Sequence, residues 1–136
     1  MNQLEEGSEL KLDFAKIRKV AAVCSDVIPV AIQNADTEEV ILVAYTNEQA
    51  FKKAVETRTL ALWSTSRNEL WGKGKKSGET FDLVEVFVNC EQNSLLYKVR
   101  PRRGGICHTK SSSGEPRNCF YRKLDMKSLK LKNLDP

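Results

Sequence analysis

The stretch VIPVAIQNADTEEVILVAY, residues 27–45, contains two apolar, β-branched segments separated by a polar turn. Such segments favour strands, and the Asn and Asp residues between them favour a turn. The stretch therefore predicts a hairpin with strands at 27–33 and 40–45.

Segments of the same kind predict three further strands, at 60–64, 81–88 and 95–99. Ahead of them, Asn47 is typical of a helix N-cap, and Glu48 suits the positive end of the helix dipole. Apolar residues follow at helical spacing, which predicts a stripe facing the core. They are Ala50, Phe51, Ala54 and Val55. The order β-β-α-β-β-β favours an α+β fold with a mainly antiparallel sheet and few helices.

The length of 136 residues predicts a single domain, 1–136, with a core at about 27–122 and flexible ends. Residues 1–12 are expected to form a loose arm, and 13–23 a short helix or an irregular lead-in. No apolar run is long enough to span a bilayer, and the first residues are too acidic and polar for a signal peptide. A cytoplasmic protein without membrane contact is the default expectation.

The net charge is +4, with basic clusters at 73–76, at 100–103 and near the C-terminus. Solvated surface is the simplest interpretation of the C-terminal cluster. The two internal clusters flank expected site loops and could instead contact a phosphate-bearing ligand. Nucleic-acid binding is not expected, because basic and aromatic residues do not interleave as they do in single-strand binders.

The four cysteines, Cys24, Cys90, Cys107 and Cys119, include no Cys-x-x-Cys pair. In a cytosolic protein, cysteines are more often metal ligands or buried apolar residues than disulfides. Cys24 lies in an apolar run and is expected in the core. Cys90 ends an apolar strand, and the other two bracket a segment rich in Gly and Ser. Burial and metal binding are both compatible with this spacing.

Three cysteine ligands would leave one position of a tetrahedral zinc open, as in catalytic zinc sites. Water bound there can lose a proton near neutral pH and attack an electrophilic carbon. His108, the only histidine, directly follows Cys107. An ordinary structural histidine and a proton-transfer group are equally compatible with that position.

Three segments of the chain are similar to the motifs of one known family. AYTN at 44–47, followed by Ala50, resembles the family's AYMNxEA. WSTSRNELWGKGKKSG at 63–78 is similar to WSxSRxxLWxKGxxSG. CHT at 107–109 and NCFYR at 118–122 resemble the family's CHTGxxSCFYR. The chain thus resembles the phosphoribosyl-AMP cyclohydrolase family from about residue 27 to residue 122.

The resemblance implies the dimeric fold of this family and a hydrolase of histidine biosynthesis. Such an enzyme opens the N1–C6 bond of the adenine ring in phosphoribosyl-AMP. The resemblance also implies a homodimer in which both chains contribute cysteines to each zinc. In this chain the zinc ligands would be Cys90, Cys107 and Cys119, with His108 as the catalytic group.

The segment expected to shape the nucleotide site contributes Ser64, Ser66, Arg67, Lys73, Ser77 and Gly78. An Arg suits a phosphate as a bidentate clamp, and a Lys suits it as a point charge. Trp63 and Trp71 are expected to pack in the core rather than to stack on a base.

Two segments depart from the family pattern. The magnesium motif, Asp-Cys-Asp-x-Asp, is here Asn89-Cys90-Glu91-Gln92-Asn93, so Asn89, Glu91 and Asn93 form a degenerate set. Magnesium prefers charged oxygen ligands, and one carboxylate in place of three suits it poorly. The family's SGHxQ is SGETF at 77–81, and the segment between the last two cysteines is lengthened through 111–116.

Three hypotheses follow from retained zinc cysteines beside lost magnesium carboxylates. The first, which motif agreement favours, is an active cyclohydrolase with a weakened or different second metal. The second is a zinc hydrolase for another purine-like nucleotide. The third is a non-catalytic, zinc-stabilised dimer that binds a ligand or partner.

Overall fold

A computed structural model describes residues 2–72, 81–101, 110–114 and 117–136. Over these residues the chain forms three helices and eight strands. The helices are α1 (Gln3–Glu6), α2 (Lys16–Val23) and α3 (Glu48–Thr57). The strands are β1 (Ile28–Asn34), β2 (Val40–Thr46), β3 (Ala61–Ser64), β4 (Glu69–Gly72), β5 (Phe81–Val88), β6 (Leu95–Pro101), β7 (Arg122–Leu124) and β8 (Leu131–Asn133).

Four strands form the main sheet in the order β2-β1-β6-β5. β1 pairs antiparallel with β2 and β5 pairs antiparallel with β6, whereas β1 and β6 run parallel. β3 and β4 form a separate hairpin, and so do β7 and β8. The predicted α+β architecture with a mainly antiparallel sheet is confirmed, as are the predicted hairpin and the three later strands.

The core lies on one face of this sheet, where buried residues alternate along the strands. Val30 and Ile32 on β1 and Tyr97 and Val99 on β6 are fully buried, as the two-residue period of a strand requires. Burying each large apolar side chain stabilises the fold by about 2 kcal/mol. This packing fixes the strand ends that carry the candidate site.

Helix α3 begins where the sequence predicts. The side chain of Asn47 accepts a hydrogen bond from the Ala50 backbone N–H at 2.9 Å, which satisfies one unpaired donor of the first turn. Ala50 and Ala54 are fully buried and Phe51 packs against the core, but Val55 remains exposed. The predicted apolar stripe is therefore narrower than expected, because it includes Ala50, Phe51 and Ala54 but not Val55.

The outer face of the sheet, opposite the core, carries an apolar row that crosses all four strands. Val43 on β2, Ala31 on β1, Leu96 on β6 and Phe87 on β5 are successive neighbours in the strand register. Val43 and Phe87 remain 55% and 46% exposed. A contiguous exposed apolar row is typical of a surface that another protein covers.

The N-terminal residues do not form the loose arm that the sequence predicts. α1 is capped by Asn2, whose side chain accepts a hydrogen bond from the Leu4 N–H at 2.9 Å. Glu9 pairs with Lys130 across an antiparallel bridge, so this segment is fixed against the C-terminal residues. Residues 13–23, expected as a short helix or lead-in, contain α2. No helix in the described part of the chain is long and apolar enough to cross a membrane.

Candidate active site

The turn between β3 and β4, residues 65–68, carries the best-preserved part of the family motif. Ser64 and Ser66 place their hydroxyl oxygens 3.3 Å apart. The Arg67 backbone N–H donates to Ser64 Oγ at 3.3 Å, while the Arg67 guanidinium lies at the surface, 3.8 Å from a Glu69 carboxylate oxygen. The three predicted binding residues in this turn are therefore brought together.

Asn68 and Cys24 fix this turn to the rest of the molecule. Asn68 Oδ1 accepts hydrogen bonds from the Trp63 indole N–H at 3.0 Å and from the Cys24 thiol at 3.2 Å. The Cys24 thiol also lies 3.6 Å from the carbonyl oxygen of Thr65. Asn68 has a positive φ of 52°, a conformation that Asn tolerates better than most residues. The expected burial of Cys24 is confirmed, and the residue also orders the turn.

The same turn opens onto a cavity of about 300 Å³. Its lining includes Ser64, Ser66, Trp63 and Trp71, together with Lys16 from helix α2. Trp71 packs against the core as predicted. Trp63 and Trp71 are both half-buried, and both line the cavity. The cavity thus combines aromatic surface, hydroxyl groups and one cationic side chain, which are groups that suit a nucleotide.

The turn between β5 and β6, residues 89–94, corresponds to the family's magnesium motif. Asn89 Oδ1 accepts the backbone N–H groups of Asn93 and Ser94 at 2.9 and 3.0 Å. The Asn89 side-chain amide donates to Asn93 Oδ1 at 2.7 Å, and the Asn93 amide donates to Glu91 at 3.1 Å. The amides satisfy one another, so the turn needs no cation to close it. These residues do not fit a magnesium site, because their oxygens are engaged and one carboxylate remains.

Cys90 and Cys119 are both exposed and lie at opposite edges of the main sheet. Cys90 follows edge strand β5, whereas the Cys119 N–H donates to the carbonyl of Ile41, on edge strand β2, at 2.9 Å. Roughly three strand spacings, about 14 Å in all, separate these two edges. Sulfurs that share one zinc lie about 4 Å apart. The two thiols of one chain are therefore too far apart to bind the same ion.

Several predicted site residues lie outside the described residues. They are Cys107, His108, Lys73, Ser77 and Gly78. Within the described part of one chain, no three His, Cys, Asp or Glu side chains come together as a metal site. The two exposed thiols, Cys90 and Cys119, are of the ligand type that zinc prefers.

Arg100 belongs to one of the basic clusters considered for phosphate binding. Its Nε and a terminal nitrogen donate to the two Asp36 carboxylate oxygens, each at 2.9 Å. The hydrogen bond from Arg100 lowers the pKa of Asp36. One edge of this guanidinium is already paired with Asp36. Lys16 lines the cavity and Arg100 does not, so Lys16 is better placed to meet a ligand there.

Comparisons with known proteins agree with the geometry of this site. The family described as phosphoribosyl-AMP cyclohydrolase matches residues 42–121. The phosphoribosyl-AMP cyclohydrolase of Caulobacter vibrioides is 47% identical over 103 residues, which cover 74% of this chain and 70% of the relative. That of Hyphomonas neptunium is 38% identical over 121 residues, covering 89% and 82%.

A third relative is the histidine biosynthesis bifunctional protein HisIE of Aquifex aeolicus. It is 42% identical over 98 residues, which cover 72% of this chain and 45% of that longer protein. The region matched by the family, residues 42–121, contains β3, β4 and the segment with Ser64, Ser66 and Arg67. The fold and this turn define a hydrolase that acts on a cyclic amidine. The chain belongs to the phosphoribosyl-AMP cyclohydrolase family.

Proposed function

We propose that the protein hydrolyses the N1–C6 bond of the adenine ring in phosphoribosyl-AMP, as a zinc-dependent step of histidine biosynthesis. The β3–β4 turn is the observation that carries this proposal. The family segment is intact there, its serines line a cavity, and the region matched by the family spans it. The opened product would be an imidazole carboxamide nucleotide.

The cavity suggests how the nucleotide binds. Trp63 and Trp71 offer apolar surface beside the purine, and the hydroxyls of Ser64 and Ser66 can exchange hydrogen bonds with ring nitrogens or ribose oxygens. Lys16 offers a point charge to the phosphate. Each of these groups lines the same cavity, so the chain can orient the ring before any bond breaks.

We propose that zinc binds to Cys90 of one chain and to Cys107 and Cys119 of a second. When bound, zinc lowers the pKa of water and so supplies a nucleophile near neutral pH. His108 follows a proposed ligand directly, and we assign it the proton transfer from that water to the ring nitrogen that leaves. The wide separation of Cys90 and Cys119 within one chain supports the shared site.

The shared zinc site requires a homodimer, and the exposed apolar row on the outer face of the sheet supports association. A dimer would remove Val43 and Phe87 from water, which favours association by about 25 cal/mol for each Å² of apolar area buried. Because metal ligands come from both chains, zinc binding and dimer formation should strengthen each other.

The β5–β6 turn favours a second possibility, a zinc hydrolase for another purine-like nucleotide. In this turn, Asn89 and Asn93 carry amides where the family motif has carboxylates. A substrate group that binds through a second cation would therefore have no cation to contact here. We place this possibility behind the first because the β3–β4 segment is intact. The third possibility is a zinc-stabilised dimer that binds a ligand or partner without catalysis. We place it last because neither the cavity nor its hydroxyls specifically favour binding without catalysis.

Turnover of phosphoribosyl-AMP by the purified, zinc-replete protein tests the proposal. We expect formation of the opened imidazole carboxamide nucleotide without added magnesium. A chelator should remove this activity and zinc should restore it. Full zinc occupancy with no product, while another purine nucleotide is hydrolysed, would support the second possibility. Full occupancy with no hydrolysis of any purine nucleotide would support the third.

A further inference from the structure

Arg117 is a buried charged residue at the centre of a contact between the two ends of the chain. Its side chain is only 5% exposed. Its Nη1 donates to a Glu6 carboxylate oxygen at 2.8 Å, and its Nε donates to the carbonyl of Asp135 at 2.7 Å. The guanidinium also lies 4.5 Å from the centroid of the Tyr121 ring. One side chain thus joins residues close to both termini.

Other contacts reinforce this arrangement, which we call the terminal clasp: residues 2–9 and 130–136 packed on residues 117–122. The Tyr121 hydroxyl donates to the carbonyl of Glu5, and the Arg122 guanidinium donates to that of Gly7 at 3.0 Å. The Leu134 N–H donates to the carbonyl of Tyr121 at 2.8 Å. These contacts involve residues from both ends of the chain. Most of the clasp lies outside the matched family region, which ends at residue 121.

Cys119 lies between the two buried residues of the clasp. Arg117 precedes it by two positions and Tyr121 follows it by two, and both are buried while Cys119 is exposed. On its other side, the Cys119 backbone is hydrogen-bonded to Ile41 in β2. The chain is therefore fixed on both sides of this thiol, which is presented at the surface between the clasp and the sheet edge.

We propose that Arg117 is a positioning residue for Cys119, and that the terminal clasp presets this thiol for metal binding. The proposal rests on the zinc site proposed above. A ligand fixed before binding loses little conformational entropy when it meets the ion. Removing one partner of a buried charged pair leaves the other unpaired, so the segment must rearrange. Loss of supporting contacts around metal ligands typically costs 10- to 100-fold in metal affinity.

The test compares zinc affinity, by chelator competition, in R117Q, in the milder variant E6Q and in R100Q. R100Q is the matched control, because Arg100 also makes a hydrogen-bonded ion pair but lies at the surface, away from Cys119. We expect R117Q to weaken zinc binding by at least about tenfold. E6Q should weaken it less and R100Q not at all. R117K, which keeps one donor and the charge, should recover part of the loss.

Chemical modification of the zinc-free protein distinguishes this inference from the proposed function. Mass spectrometry gives the alkylation rate of Cys119 relative to that of Cys90 in the same molecule. We expect E6Q to raise the rate of Cys119 and to leave that of Cys90 unchanged. A wild-type protein that never binds zinc would contradict the proposed zinc site but not this result. Unchanged zinc affinity and unchanged Cys119 reactivity in folded R117Q or E6Q would overturn the inference.

Discussion

The β3–β4 turn and the β5–β6 turn both connect antiparallel strands, and both correspond to functional segments of the family. They are stabilised in different ways. The β3–β4 turn is fixed from outside, by the Cys24 thiol and the Trp63 indole that converge on Asn68. The β5–β6 turn is fixed from within, by amide hydrogen bonds between Asn89 and Asn93.

This difference separates a turn that lines a cavity from a turn whose polar side chains bond mainly to one another. The externally fixed turn places Ser64 and Ser66 in the lining of the cavity. Their hydroxyls are hydrogen-bonded within the turn, but a hydroxyl that accepts one hydrogen bond can still donate its proton to a ligand. In the β5–β6 turn, the side-chain oxygen of Asn89 accepts hydrogen bonds from two backbone N–H groups of the same turn. A cation would have to displace those hydrogen bonds as well as lose its own water, and magnesium dehydrates reluctantly. The Cys90 thiol nevertheless remains exposed in that turn.

The largest expected effect distinguishes Cys90, which lies in the β5–β6 turn, from Cys24, whose thiol supports the β3–β4 turn. We expect Cys90→Ala to abolish zinc binding, because it removes one of three proposed ligands. Cys24→Ala should keep about one zinc per chain, since Cys24 is buried against Asn68 and lies apart from the proposed ligands. Metal analysis of the purified variants checks both outcomes. Loss of zinc from both variants alike would contradict the distinction.

Mixed dimers sharpen the same prediction. Cys90→Ala and Cys119→Ala chains are each expected to bind no zinc alone, but refolding them together should create one intact site in each mixed dimer. Random pairing would restore about a quarter of the wild-type zinc sites, if the dimer is symmetric. If all three ligands came from one chain, mixing would restore nothing. Zinc content of the refolded mixture distinguishes the two arrangements.

An intermediate effect is expected at Asn68, where the β3–β4 turn depends on a single side chain. Asn68→Ala removes the acceptor shared by Trp63 and Cys24 and places alanine at a positive φ. We expect a loss of about 1–3 kcal/mol in the free energy of unfolding, measured by urea denaturation. Phosphoribosyl-AMP turnover should also fall, because the neighbouring hydroxyls lose their fixed position.

Asn68→Gly is the matched control, because glycine accepts the positive φ without strain. It should recover the backbone part of the stability loss but not the turnover. Recovery of both by glycine would mean that the two hydrogen bonds to Asn68 are unimportant, and the β3–β4 turn would then be no more externally fixed than the β5–β6 turn.

The sequence predicts strands well where apolar residues alternate and a turn motif separates them. The hairpin at 27–45 and strand β5 lie within one residue of their predicted bounds. It does not predict β4, β7 and β8, which have only three or four residues each. The pairing of such strands depends on a partner strand rather than on the local pattern.

Long-range contacts explain most of the remaining differences. The N-terminal residues resemble a loose arm by composition, yet Glu6 meets Arg117 across 111 positions of sequence. Ser64, Ser66 and Arg67 could be assigned from their motif, because the motif is a continuous segment. The contribution of Cys24 to the same turn could not, since it contacts Asn68 from 44 positions away. A buried cysteine in an apolar run gives no local signal of that contact.

The smallest effect is expected from restoring the family's carboxylates to the β5–β6 turn. The double variant Asn89→Asp, Asn93→Asp keeps the oxygen that accepts the backbone N–H groups but loses the amide donors to Asn93 and Glu91. Without a divalent cation, we expect a stability loss of about 1 kcal/mol, as for one or two exposed hydrogen bonds. Millimolar magnesium should reverse that loss by binding the folded variant, whereas the unmodified protein should not respond.

Asn34→Asp provides the control for this last prediction, because Asn34 also accepts two backbone N–H groups, from Asp36 and Thr37, in a turn outside the site. Thermal unfolding with and without magnesium compares the three proteins. If the double variant also hydrolyses phosphoribosyl-AMP faster with magnesium, a magnesium site like that of the family motif has been partly rebuilt. Restored binding without faster turnover would favour another substrate, because Glu79 and Phe81 still replace the family's histidine and glutamine. A strong stabilisation of the unmodified protein by magnesium would show that hydrogen-bonded amides do not exclude the ion. The proposed difference between the β3–β4 and β5–β6 turns would then be wrong.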